Sequence, residues 1–236
     1  VLDRLLEQDG LSIDGISGAS AGAMNAAVFA DGLLDNGTTG AKKALHDFWK
    51  AVSETPSASL FNFAGLNDMA GTGFDLMSRM FSPYQMNPFN LNPMRDLLAK
   101  QINFARLRKE SPVKLFICAT NVRSGRAKVF EHDEISGDVL LASSCLPFLF
   151  HAVEIKGEHY WDGGYMGNPP LFPLYDNTET RDIVIVEWGP LGPRVQWERT
   201  RELVRERVAI EAEATLVIPG YVATDARGVQ TTLARN

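Results

Sequence analysis

Within the first 34 residues a strand-like run, a five-residue glycine turn and a small-residue helix follow one another, and this succession constrains the fold more than any other feature. Leu11-Ser12-Ile13-Asp14-Gly15-Ile16-Ser17 alternates apolar and polar residues, the period of a half-buried strand. Residues 21–34 are rich in alanine and apolar on all sides, as a buried helix is. Between them stands Gly18-Ala19-Ser20-Ala21-Gly22, which matches Gly-x-Ser-x-Gly. In that pattern the serine occupies strained backbone at a strand-to-helix turn, the flanking glycines avoid side-chain clashes, and the hydroxyl is pushed outward. The helix N-terminus adds positive potential suited to a developing oxyanion. A glycine turn that only lets helix and sheet pack closely looks the same, so the turn needs a chemical partner before it implies a reaction. Neither Gly-Lys-Ser/Thr nor Gly-x-Gly-x-x-Gly occurs, which argues against a phosphate-binding loop.

The rest of the chain sets the frame. With 236 residues and 45% hydrophobic content, it can bury one full core, and a single domain over 1–236 is expected. The opening Val1, Leu2, Leu5 and Leu6 fit a helix that stops at Asp9-Gly10. Because the chain opens on Val1 rather than Met, it is expected to be trimmed at the N-terminus. A second helix is predicted over 41–52. Residues 55–95 change character: Pro56, Pro83, Pro88 and Pro93 punctuate a stretch holding Phe61, Phe63, Phe74, Phe81, Phe89 and five of the 7 methionines. This segment is expected to be an apolar insertion or lid. A helix near 94–100, strands at 113–119, 127–131 and 182–187, a helix at 137–144 and a charged surface helix at 197–214 complete the reading. Strands alternating with helices predict an α/β sheet layered by helices on both faces.

Charge and cysteine usage narrow the function classes. A net charge of −6 with no basic stripe argues against nucleic acid. No stretch reaches the ~18 apolar residues that span a bilayer. Cys118 and Cys145 sit in apolar runs without metal-ligand spacing and read as small buried hydrophobes.

A serine is a weak nucleophile near neutral pH and needs a proton acceptor. Four histidines are present: His46 in the second helix, His132 in an acidic loop, and His151 and His159 flanking a strand. In an α/β-hydrolase the histidine follows the acid, and none follows Asp162. A triad using His151 or His159 with an earlier acid stays open. Tyr160-Trp161-Asp162-Gly163-Gly164-Tyr165 offers another solution: a carboxylate at a strand end, followed by two glycines that allow a tight turn. Within hydrogen-bond reach of Ser20, Asp162 would serve as general base.

These residues resemble the patatin-like phospholipase family, which uses a Ser-Asp dyad. Ile13-Asp14-Gly15-Ile16-Ser17-Gly18-Ala19-Ser20-Ala21-Gly22-Ala23-Met24-Asn25-Ala26-Ala27 is similar to its nucleophile segment. Ala142-Ser143-Ser144-Cys145-Leu146-Pro147 resembles its Ala-Ser-x-x-x-Pro segment, and Trp161-Asp162-Gly163-Gly164 with Gly167-Asn168-Pro169-Pro170 its Asp-Gly-Gly segment. The resemblance implies a three-layer α/β/α sandwich with a mostly parallel central sheet, Ser20 as nucleophile, Asp162 as base, and no metal or organic cofactor. It implies a serine lipid acyl hydrolase of phospholipase A or lysophospholipase type that works through an acyl-enzyme on lipid at a membrane or micelle surface. A cytoplasmic or peripheral-membrane location is expected. The family's oxyanion loop, Gly-Gly-Gly-x-Arg/Lys-Gly, precedes its first helix and is therefore expected upstream of Val1. Other readings are a catalytically weak lipid-binding or interaction module, or a thioesterase or polyester depolymerase on the same fold.

Overall fold

The computed structural model describes residues 2–7, 11–55, 82–147, 149–167, 170–179, 183–186, 214–217, 223–224 and 230–231. The chain divides into two compact units, Leu2–Asp176 and Asn177–Asn236. The first is an α/β sandwich. In chain order it contains α1 (Leu2–Leu5), β1 (Gly15–Gly18), α2 (Ala21–Glu54), α3 (Pro83–Met86), α4 (Pro93–Gln101), α5 (Phe104–Glu110), β2 (Lys114–Asn121), β3 (Ala127–Phe130), α6 (Gly137–Ser143), β4 (Val153–Ile155), β5 (Glu158–Asp162) and α7 (Phe172–Asn177). In the second, β6 (Ile183–Val186) and β7 (Ala214–Val217) pair in parallel, and β8 (Ala223–Thr224) pairs antiparallel with β9 (Gln230–Thr231).

β2 is the hub of a mixed sheet. β1 runs parallel to it, whereas β3 and β5 run antiparallel, and β4 closes a hairpin on β5. That hairpin turns through Lys156 and Gly157, both at positive φ (52° and 80°), as tight two-residue turns require. Because Ile117 pairs with both Gly18 and Phe130, and Ala119 with both Asp162 and Lys128, β3 fills one edge of β2. β1 and β5 must therefore share the other edge. They point at each other along it, their last residues opposite Ile117 and Ala119, about 7 Å apart at strand rise. The strand expected from Leu11 begins only at Gly15, where Lys114 at the start of β2 first supplies a partner.

The helices on this sheet carry the core. In α2, Ala23, Ala26, Ala27 and Ala30 are fully buried, and their small side chains bring the helix close to β1. The helix breaks at Asn36-Gly37, where Gly37 has φ 54°, so the two predicted helices are the two arms of one bent element. The arms touch through Gly32 and Gly40: a Cβ on Gly40 would lie 2.3 Å from the Gly32 carbonyl oxygen. Helix α6 starts on Ser136, whose hydroxyl accepts the Val139 N–H. It buries every residue from Val139 to Ser143. Phe29, Phe48, Leu98, Leu107, Leu115, Ile117, Ile135 and Leu140 are fully enclosed.

Part of the predicted 55–95 insertion, residues 56–81, lies outside the described residues, as do 187–213, which hold all but the last residue of the predicted charged helix. The loop expected upstream of Val1 likewise lies outside them. In the described part of the insertion, Tyr84, Phe89 and Leu91 are exposed. No described helix is long and apolar enough to cross a membrane.

Candidate active site

The head-on approach of β1 and β5 brings two distant parts of the chain together. β1 ends at Gly18, and the chain turns through Ala19 and Ser20 into α2. At the turn Ser20 has φ 53° and ψ −125°, a conformation that costs a non-glycine residue about 1–3 kcal/mol. Gly18 is required there: a Cβ on it would sit 2.7 Å from the Gly22 carbonyl carbon and 2.9 Å from the Ala23 nitrogen. Gly22 is different. The sequence pattern assigns both glycines to clash avoidance, yet a Cβ on Gly22 meets nothing within 4 Å among the described residues, because this residue is exposed on the first turn of α2.

Asp162 ends β5 and is 4% exposed. Its Oδ1 accepts the Gly164 N–H at 2.7 Å, which fixes the carboxylate on the turn that the Asp-Gly-Gly sequence predicts. The Thr120 hydroxyl donates to its carbonyl at 2.8 Å, and its own N–H donates to the Cys145 carbonyl at 2.8 Å. Burial raises the Asp162 pKa above the ordinary 3.8, opposed by the Gly164 N–H and then the Ser20 hydroxyl. The Ser20 hydroxyl is thus one of the two groups that favour the ionised carboxylate.

The surroundings exclude competing nucleophiles. Burial, with Asp162 second, pushes the thiols of Cys118 and Cys145 up to about 11 and about 12, so neither supplies a thiolate near neutral pH. The histidines make other contacts. The His151 ring stacks on Tyr84 at 4.1 Å, and its buried Nε2 has no hydrogen-bond partner among the described residues. His159 Nε2 faces Glu154 at 3.9 Å, His132 Nδ1 accepts the Leu115 N–H, and His46 lies on the second arm of α2. None of the four is hydrogen-bonded to Ser20.

The turn also leaves one donor open. The Gly22, Ala23 and Met24 N–H groups are taken by the carbonyls of Ala19 and Ser20; the Ala21 N–H, first in α2, has no acceptor among the described residues. The Ser17 hydroxyl donates to the Pro170 carbonyl at 2.5 Å, tying the loop after Asp-Gly-Gly to β1. Sequence reasoning did not assign a role to Ser143, whose hydroxyl accepts the Ser20 N–H. The Ala-Ser-x-x-x-Pro resemblance was its one signal.

Residues 1–175 match the protein-family model described as patatin-like phospholipase. No curated protein matches the chain.

Proposed function

As the chain belongs to the patatin-like phospholipases, a family of lipid acyl hydrolases, we propose that Ser20 and Asp162 form a catalytic dyad that cleaves fatty acyl esters of phospholipid or lysophospholipid. The observation that carries this reading is the convergence of the strained Ser20 turn and the buried Asp162 carboxylate on one edge of β2. The steps follow from the residues present. Asp162 takes the Ser20 proton as Oγ bonds to the acyl carbon, and the Ala21 N–H at the positive end of α2 is the donor on hand for the oxyanion. Collapse breaks the bond to the leaving oxygen, which receives the proton from Asp162 and departs as alcohol or lysolipid. Water then adds to the acyl carbon and gives a proton to Asp162; the Ser20–acyl bond breaks, fatty acid leaves, and Ser20 Oγ recovers the proton. The exposed Tyr84, Phe89 and Leu91 support access to substrate at a lipid surface.

Incubation of the full-length protein with a long-chain alkyl fluorophosphonate tests the reading by intact mass and peptide mapping. One adduct on Ser20 is expected, at an unchanged rate in His151→Gln and His159→Gln. A folded protein with no adduct, or with one elsewhere, contradicts the proposal, and loss of labelling in either histidine variant points to a triad instead.

A further inference from the structure

We propose that Ser143 is a positioning residue for the nucleophile, an assignment that rests on Ser20 and Asp162 being the reacting pair. The strained Ser20 backbone is held by its N–H, which is shared between the Ser143 carbonyl at 3.1 Å and the Ser143 Oγ at 3.0 Å. The Ser143 hydroxyl donates in turn to the Cys118 carbonyl at 2.6 Å. The direction of this relay is fixed by chemistry, since an amide N–H only donates and a carbonyl only accepts. Ser143 is fully buried, so water cannot replace its hydroxyl.

The anchor point matters as much as the bonds. Cys118 is the one residue of β2 between Ile117, opposite the end of β1, and Ala119, opposite Asp162. The Ser143 hydroxyl therefore ties Ser20 to the residue that separates the two halves of the dyad. Two positions on, the Cys145 carbonyl accepts the Asp162 N–H at 2.8 Å. The last residue of α6 and the turn that follows it thus hold both partners, which are far apart in sequence, against one strand. A buried serine that only fills space would stabilise the fold without acting on the rate of attack by Ser20.

The test measures, on the full-length protein, the limiting rate at which a long-chain alkyl fluorophosphonate phosphonylates Ser20 and the probe concentration at half-saturation, with a thermal melt for each variant. Ser143→Ala is expected to slow the limiting rate about 10- to 100-fold with the half-saturation concentration unchanged. Ser143→Cys keeps the site filled but offers only a weak acceptor, so it slows labelling likewise and decides the matter if the Ala variant does not fold. Ser143→Thr, which retains the hydroxyl, restores most of the rate. A folded Ala or Cys variant with the wild-type limiting rate, a change in half-saturation alone, or a folded Thr variant as slow as Ala overturns the positioning role while the dyad stands. A wild type not labelled on Ser20, or an Asp162→Asn variant labelled at the wild-type rate, overturns the dyad and the positioning role with it.

Discussion

Asp162→Asn lowers ester hydrolysis by about 10²–10⁴-fold, the usual contribution of a general base, while the variant melts no lower than the wild type at pH 7. The two halves of this result have opposite signs for one reason. Asp162 is buried, and burial is the largest influence on its carboxyl, raising its pKa above 3.8 in the folded chain. A carboxyl with a raised folded pKa contributes stability that is fully present below its unfolded pKa and is lost as pH rises through the folded value. At neutral pH the ionised group is thus a net cost to the fold, which Asn removes while still accepting the Gly164 N–H that now bonds Oδ1. The stability gain should shrink as pH falls below the folded pKa. The same shift sets the expected activity profile: as the proposed base, Asp162 works only when ionised, so kcat/KM of the wild type should fall on the acid side with an apparent pKa above 3.8. Steady-state hydrolysis from pH 3.5 to 8, with melts of both proteins at each end, gives all three readouts. An Asn variant that keeps the wild-type rate removes Asp162 from the chemistry, and one that melts well below wild type at pH 7 means the carboxylate is a structural anchor.

What the sequence made legible was local. Alternation before Gly18 and alanine after Ser20 place the elbow, and Asp-Gly-Gly at a strand end places the carboxylate, because turn chemistry is written in neighbouring residues. The pairing of strands is not. That β1 and β5 share one edge of β2 depends on the register of Ile117 and Ala119, residues that read only as part of an apolar run. For the same reason no pattern separates Gly18, which backs onto the α2 backbone, from Gly22, which meets open space. Ser143 was visible as a motif residue, yet its hydrogen bonds reach residues 123 and 25 positions away, a range at which spacing carries no information. Gly32 and Gly40 were hidden likewise: one reads as a residue of the first helix and the other as the residue before the second, and no spacing shows that the break at Asn36-Gly37 folds them against each other.

Gly163→Ala destabilises the protein by about 3 kcal/mol or more, the upper range for forcing an extra methyl into a packed site, and Gly22→Ala does not. A Cβ on Gly163 would lie 2.1 Å from the Cys118 carbonyl oxygen and 2.6 Å from its carbon, with the Ala19 Cβ at 3.1 Å. The first two are backbone atoms of β2, whose two edges are both paired in this region, so the strand cannot retreat. The turn after Asp162 must move instead, and it carries the Gly164 N–H that fixes the carboxylate. Any Gly163→Ala protein that still folds should therefore lose hydrolysis by a larger factor than its remaining stability explains. Gly22 provides the contrast inside the same site. Its added Cβ meets nothing within 4 Å, and replacing glycine with alanine near a helix start changes stability by no more than about 1 kcal/mol, in the favourable direction. Urea unfolding of the two variants beside the wild type reads the difference as a shift in midpoint. A Gly163→Ala midpoint equal to the wild type means the Asp162 turn is not packed on the Cys118 carbonyl, and the convergence of β1 and β5 then lacks the steric wall that sets how closely Asp162 approaches Ser20.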